Sequence, residues 1–517
     1  MLLVAAAAVV GLVLVSGGSD ADPRTPPALP GLPPPFFGTA VVGDGGMTAA
    51  IDAYGNVVDL RAPGPAGQAL IDNPADRQAA GSVEADTGIV PRVAIGDGPA
   101  LPLWRADSVS QSYLRGTNVV RTVARFLLRL GGEKGTAGVV SVTVTDAVAG
   151  GVLARVVETE GPVGVRMVPS LGVNVEASAK CETEQRMGKA ALLCRAPGSS
   201  AEGVAETIRL ATFGDRAWLR RGWSLGDGAP AWARGMYERS LLTLHALTDR
   251  RTGAVAAGAR DGWAYVWPRD AGAAALAFAA AGYRPETRRV ASFLLGLGLD
   301  AGARFHGDGT PVEGRAAQGD AAGWAVAVRA ANRGSFWSQE AQKEPREWRD
   351  RADYREGEPG DFLANAIASG LPAAEISDRF ESALGLNRVE ETDADLDSAA
   401  AWAVRPFVQP ALFPAARRTL LRLAADGTRF GITPGEGWHG GSDPWSAPTA
   451  WSAWSLAALG ERPTALRLLA DLRRAATPAG ALPERVGART GIPTSTTPLA
   501  WSHAFAILAL RELWPSA

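Results

Sequence analysis

The apolar residues of this 517-residue chain change their period once, near Trp223, and do not change back. Upstream, short runs alternate apolar and polar residues between turn signals, which is the pattern of half-buried strands. Met47–Asp52 and Val57–Leu60 flank an Ala-Tyr-Gly-Asn turn and read as a hairpin. Val119–Leu130 and Val139–Val148, joined through Gly-Gly-Glu-Lys-Gly, read as two longer paired strands, and Val152–Glu158 and Val163–Val168 continue the series. So many turn-bounded strands predict an antiparallel β-sandwich over residues 37–225. Downstream, helical spacing predicts helices near 230–249, 269–282, 284–297, 318–332, 360–370, 372–385, 393–405, 413–426, 447–459, 462–475 and 497–513. Short and longer connections alternate, as they do when every second helix lines the inside of a barrel. The expected fold class is therefore multidomain, β plus all-α: an N-terminal antiparallel sandwich followed by an (α/α)6 toroid over residues 226–517, with one of the twelve helices not separately visible. The longer connections carry Trp, Gly and acidic residues, and a site is expected there.

Residues 1–15 are uninterrupted apolar residues followed by Ser-Gly-Gly-Ser. That length suits a signal peptide or a short membrane anchor better than a full span, which needs roughly 20 residues. Both readings predict export to a secreted or cell-surface position. Residues 16–36 are Pro- and Gly-rich and read as an extended linker. Cys181 and Cys194 flank a second hairpin-like stretch. In an exported protein such cysteines pair, the alternative being two unrelated thiols. His245, His306, His439 and His503 stand far apart and there is no Cys-x-x-Cys, so a structural zinc site is not expected. The acidic run Glu390–Asp397 reads first as a helix start and second as a calcium loop. With a formal net charge of −2, the chain has no field that would attract nucleic acid or an anionic membrane.

Tryptophan is distributed unevenly. Only Trp104, Trp218 and Trp223 of the 16 precede residue 226. Indole faces stack on the apolar faces of sugar rings, although most buried tryptophans serve as core. The segment Tyr265-Val-Trp-Pro-Arg-Asp-Ala271 sharpens the point. Pro268 suits the first turn of a helix, because its missing N–H would have no partner there. Arg269 and Asp270 then project from that turn, and a guanidinium beside a carboxylate grips adjacent sugar hydroxyls, one donating and one accepting. The alternative reading is an Arg–Asp pair that caps the helix.

This segment resembles the Trp-Thr/Pro-Arg-Asp signature of glycoside hydrolase family 15, the glucoamylases. Three further blocks follow in the family's order. Asp308-Gly-Thr with Gly314-Arg-Ala-Ala-Gln318-Gly-Asp320-Ala-Ala-Gly resembles its Arg-x-Gln-x-Asp-Gly block. Gly440-Gly-Ser-Asp-Pro-Trp445 resembles its Gly-x-Pro-Trp loop. Pro483-Glu484 and Pro498-Leu-Ala-Trp501-Ser-His503-Ala resemble its Pro-Glu-Gln and Pro-Leu-x-Trp-Ser-His-Ala ending. The segment from Gly43 to Leu60 resembles the β-domain that precedes the toroid in bacterial members, so the resemblance spans roughly residues 37–517.

The resemblance implies an inverting, exo-acting hydrolase that releases glucose from non-reducing ends of α-glucans or oligosaccharides, with trehalose, isomaltose or dextran as alternative substrates. Such a reaction uses two carboxyl groups about 6.5–9.5 Å apart and no cofactor. Glu484 matches the general base. Arg269 and Asp270 match residues that hold the terminal sugar, beside a stacking face from Trp267. Trp445 belongs to the loop that opens a barrel helix, and Trp501 would back the base loop. Gln318 and Asp320 would line the barrel mouth, although Asp320 also reads as a helix N-cap. The general acid is expected in an aromatic-Trp-Glu motif between the second and fourth blocks. Asp353-Tyr354-Arg355-Glu356 fits except that Arg355 replaces Trp, which makes Glu356 the candidate and Glu347, beside Trp348, the reserve. If neither is placed to protonate the leaving group, the chain would be a catalytically impaired cell-surface glycan-binding protein.

Overall fold

The computed structural model describes residues 28–72, 88–129, 136–174, 180–201, 203–315, 317, 319–333, 363–364, 366, 370–379, 396–436, 438 and 441–516. Two antiparallel sheets form the N-terminal part. One runs β1 (Gly38–Gly43), β2 (Thr48–Asp52), β3 (Val57–Ala62), β5 (Gly88–Ile95), β11 (Met167–Asn174), with β4 (Gln68–Asp72) beside β3 and β6 (Leu101–Pro102) beside β5. The other runs β12 (Lys180–Arg186), β13 (Lys189–Arg195), β10 (Val152–Glu160), β9 (Thr136–Ala149), β8 (Val120–Arg129), β7 (Ser108–Tyr113). Alternation sets which side chains enter the sandwich. In β8, Val120, Thr122, Ala124, Phe126 and Leu128 are buried while Arg121 and Arg125 are exposed. Val42, Ile51 and Leu60 of the first sheet meet Val120, Leu153 and Leu192 of the second in one apolar cluster.

The β2–β3 hairpin forms as its alternation predicts, and β12–β13 places Cys181 opposite Cys194, where they form a disulfide. Two features differ from the sequence expectation. Val163 lies fully exposed in a turn, closed by Val165 N–H on the Pro162 carbonyl at 3.2 Å, and the strand begins only at Met167. Gly161, Pro162 and Gly164 favour that turn over an extended run. The last strand ends at Arg195, and α1 (Val204–Leu219) fills part of the stretch expected to belong to the sandwich. Thr207, Ala211, Asp215 and Trp218 recur at helical spacing, and that stripe is the buried face of α1, which packs on β9 and β10.

The C-terminal part contains α2 (Ala231–Ala246), α3 (Pro268–Ala280), α4 (Arg284–Leu295), α5 (Ala321–Asn332), α6 (Ala373–Arg379), α7 (Phe413–Asp426), α8 (Ser446–Ala458), α9 (Arg462–Ala475) and α10 (Ala500–Leu513). Inner and outer helices are told apart by burial. Every residue from Pro268 to Phe278, from Ser446 to Leu456 and from Ala500 to Leu510 is buried, so α3, α8 and α10 are surrounded by protein. By contrast α9 buries the single stripe Ala465, Leu468, Leu469, Leu472 and Ala475. The small residues of the inner helices, Ala above all, let them approach closely. The helix expected near 393–405 is instead a short 3-10 turn, Ser398–Ala403. Pro406 bars Arg405 from helical geometry, and Asp397 accepts the Ala399 N–H at 2.6 Å to start the turn. The expected helix at 372–385 is seen as α6 over Ala373–Arg379, while 380–385, most of the expected helix at 360–370 and the acidic run up to 395 lie outside the described residues.

Polar bonds join the two parts. Thr48 Oγ1 donates to the Ala246 carbonyl at 2.9 Å, and Asn118 Nδ2 donates to the Leu242 carbonyl at 3.0 Å. The Arg239 guanidinium lies over the Tyr113 ring at 3.6 Å. Among the described residues no helix is long and apolar enough to cross a membrane, and residues 1–15 lie outside them.

Candidate active site

The segments that lead into the inner helices hydrogen-bond to one another, and this gathers the helix N-terminal ends at one end of the toroid. Val266 N–H donates to the Phe305 carbonyl at 2.7 Å, and Ala500 N–H donates to the Ala257 carbonyl at 2.7 Å. Glu484 sits between two of these ends. Its N–H donates to Thr496 O at 2.9 Å, and its carbonyl accepts from Ser446 N, the first residue of α8, at 2.9 Å. The side chain is half-buried, and Ser495 Oγ donates to Glu484 Oε2. Below this loop, Leu482 N–H donates to His503 Nε2 at 3.0 Å. Because Nε2 accepts, the imidazole proton sits on Nδ1 and points to Ser240 Oγ at 2.9 Å. Burial holds the His503 pKa well below its ordinary value, so the ring stays neutral and keeps its grip on the loop.

Arg269 and Asp270 occupy the first turn of α3, and side-chain bonds from both reach other helices. Arg269 Nε donates to Asp320 Oδ2 at 2.5 Å across to α5, while Asp270 Oδ1 accepts from Trp501 N–H of α10 at 3.4 Å. The pair thus ties three helix ends together. Asp320 stands at the N-cap position of α5, yet its carboxylate makes no cap bond. It receives Arg269 and the Trp324 indole N–H at 2.9 Å instead. The Arg269 guanidinium lies 5.1 Å from the Trp501 ring and 5.9 Å from that of Trp402. Beneath it, Trp402, Trp451, Trp501 and Phe505 meet edge-on or tilted, with Trp451 to Trp501 at 5.2 Å, and make an apolar floor. Burial raises the Asp270 carboxyl to about 7, opposed by Arg269 and by the Trp501 N–H and reinforced by the negative fields of Glu484 and Asp320. Glu484 and the Arg269–Asp270–Asp320 cluster therefore share one electrostatic environment.

A cavity of about 450 Å³ opens beside Glu484. Trp263, Trp267 and Trp445 line it together with Ser495 and three arginines, Arg304, Arg315 and Arg485. Trp267 and Trp445 are the N-cap residues of α3 and α8, so the two helix starts deliver two indoles to one wall. Their buried Nε1–H groups have no hydrogen-bond partner among the described residues. Of the residues singled out in the sequence, Trp267, Trp445 and Glu484 thus line the cavity, and Arg269, Asp270, Asp320 and Trp501 form the buried cluster. Gln318, Glu356 and Glu347 lie outside the described residues. Sequence reasoning did not single out Ser495, Trp402 or the three arginines. Arg315 lies inside a quoted motif and Arg485 directly follows Glu484, so for those two position is a usable signal. Trp402 carries no such mark.

Residues 231–297, which cover α2 to α4 and the Trp267–Asp270 turn, match the family model of the glycosyl hydrolases family 15. Over that segment, which carries the Trp267–Asp270 turn, the chain is similar to family 15. Its whole architecture follows a bacterial glucoamylase complexed with acarbose, at 13% identity, 97% coverage of this chain, 96% of that one and a TM-score of 0.63. Smaller likenesses are a glycosidase variant in complex with glucose (21% identity, 55% of this chain, 99% of that one, TM-score 0.42) and the glucoamylase from Saccharomycopsis fibuligera (14%, 56%, 96%, 0.40). No curated protein matches the chain by sequence. The described site lies where the inner helices begin.

Proposed function

We propose that the chain is an exo-acting, inverting glycoside hydrolase that releases glucose from the non-reducing ends of α-glucans or oligosaccharides, with Glu484 as the general base. The observation that carries this reading is the cavity itself. It sets an anchored carboxylate beside tryptophan faces whose two buried indole N–H groups have no acceptor among the described residues. Sugar hydroxyl oxygens would be their acceptors, and the rings would be stacking surfaces. Ser495 and the backbone bonds of Glu484 hold its carboxylate in place, as a base that aligns a water must be held. Glu356 remains the proposed acid and Glu347 its reserve. Incubation of the purified chain with maltotetraose, trehalose and isomaltose tests the substrate. Glucose release fastest from maltotetraose is expected, and preference for either disaccharide would move the assignment to that linkage. Export is likewise a proposal. The Cys181–Cys194 disulfide supports an oxidising compartment, and fractionation of producing cells checks it.

A further inference from the structure

We propose that the cavity beside Glu484 accepts a sugar that carries a negatively charged, acceptor-only substituent: a carboxylate, a sulfate or a phosphate ester. The inference deepens the hydrolase reading and rests on it for the location of the site, not for the charge argument. The described lining holds three guanidinium groups, Arg304, Arg315 and Arg485, against the single carboxylate of Glu484. Among the described residues, neither Arg315 nor Arg485 makes an ion pair. Arg315 lies instead over the face of Trp267, at 4.8 Å. The Nε of Arg485 is buried with no hydrogen-bond partner among the described residues.

The chemistry at position 485 is the sharpest part. In the Pro-Glu-Gln motif that Pro483-Glu484 resembles, Arg485 stands where the glutamine is expected. A glutamine amide donates and accepts, which matches a hydroxyl that does the same. A guanidinium only donates, and it carries a fixed charge. A half-buried cation without a counter-charge is unfavourable unless a ligand supplies one. Planar or tetrahedral oxyanions suit the guanidinium fork best, and Arg315 stacked on an indole is already oriented to share the task.

The test is calorimetric binding of glucose, glucuronate, glucose 6-sulfate and glucose 6-phosphate to the full chain, to Arg485→Gln and to Arg315→Gln. Melting curves would verify that both variants fold. At least one charged sugar should bind about tenfold or more tighter than glucose, the gain expected of a charge-assisted hydrogen bond. That gain should shrink as salt is raised and should be lost in the variants. Which sugar wins identifies the oxyanion. If no charged sugar exceeds glucose, or the advantage survives both substitutions, the proposal is overturned. If a variant does not fold, the wild-type preference and its salt dependence still decide. None of these readings requires turnover, so a failed hydrolysis assay with intact charge discrimination would count against the hydrolase reading alone.

Discussion

Two buried Arg–Asp pairs, one in each part of the molecule, are built for different purposes. In the sandwich, Arg155 Nε and Nη2 donate to Asp146 at 2.6 and 3.1 Å, Nη1 donates to the Ile89 carbonyl at 3.0 Å, and both side chains are fully buried. Strands β9 and β10 bring the two residues into register opposite each other, and every nitrogen of the guanidinium is spent on the protein. In the toroid, Arg269 meets Asp320 through Nε at 2.5 Å, from two helix starts, between the rings of Trp402 and Trp501 and beside an acid raised to about 7. The first pair closes a core. The second is a charged hub at the mouth of a barrel, electrostatically coupled to Glu484. Similar residues and burial therefore do not announce a site; it is the neighbours that differ.

The largest effect that separates the two regions should come from Glu484→Gln, which keeps the shape and the Ser495 contact but removes the negative charge. Hydrolysis should fall about 10²–10⁴-fold with an unchanged melting curve, the range for loss of a general base. Retention of more than about a tenth of wild-type activity would take Glu484 out of the mechanism. On the sandwich side, Asp146→Ala leaves Arg155 charged and uncompensated in the core. Stability should drop by about 3–5 kcal/mol in chemical denaturation, while kcat and KM of the surviving folded fraction stay near wild type. A kinetic defect in that folded fraction would break the division of labour drawn here.

Asp270→Asn should act in both currencies but less strongly. On the sequence expectation that Asp270 holds the terminal sugar, its loss should lower kcat/KM by about 1.5–3 kcal/mol, or roughly 10–100-fold. The pH dependence gives an independent reading. Asp270 is raised in the folded state from 3.8 to about 7, so across that window the folded chain holds a proton that the unfolded chain has released. Its contribution therefore makes stability fall as pH rises from about 4 to about 7, with a slope of at most about 1.4 kcal/mol per pH unit. Urea denaturation at several pH values should show a shallower decline in the variant. Equal slopes would mean that the Asp270 carboxyl is not raised.

Legibility in the sequence followed the same division. The hairpin at Met47–Leu60, the strands around Val120–Val148 and the disulfide-linked hairpin were visible because period-2 alternation and turn residues are local signals. The inner helices were visible for their length, and the site segments because Trp267-Pro268-Arg269-Asp270 and Pro483-Glu484 match family blocks. Helix α1 was missed because its buried stripe includes Thr207 and Asp215, which a hydropathy reading does not count as core. Asp215 is buried because it accepts the Asn118 N–H at 2.6 Å, a partner 97 residues away. Asp320 read equally well as a cap or a site residue. Only the approach of Arg269 and Trp324, a tertiary fact, shows where its carboxylate is used. Trp402 comes under Arg269 from a 3-10 turn that the sequence presents as one more helix.

The central claim, that a fixed Glu484 activates water across the sugar from a separate acid, is tested most directly by the anomer first released. Proton NMR of the earliest product from maltotetraose should show β-glucose, which then mutarotates, because a single displacement at an α-linked carbon inverts it. Initial appearance of α-glucose would contradict the account, since it would require a covalent intermediate on a carboxylate for which this arrangement provides only a base.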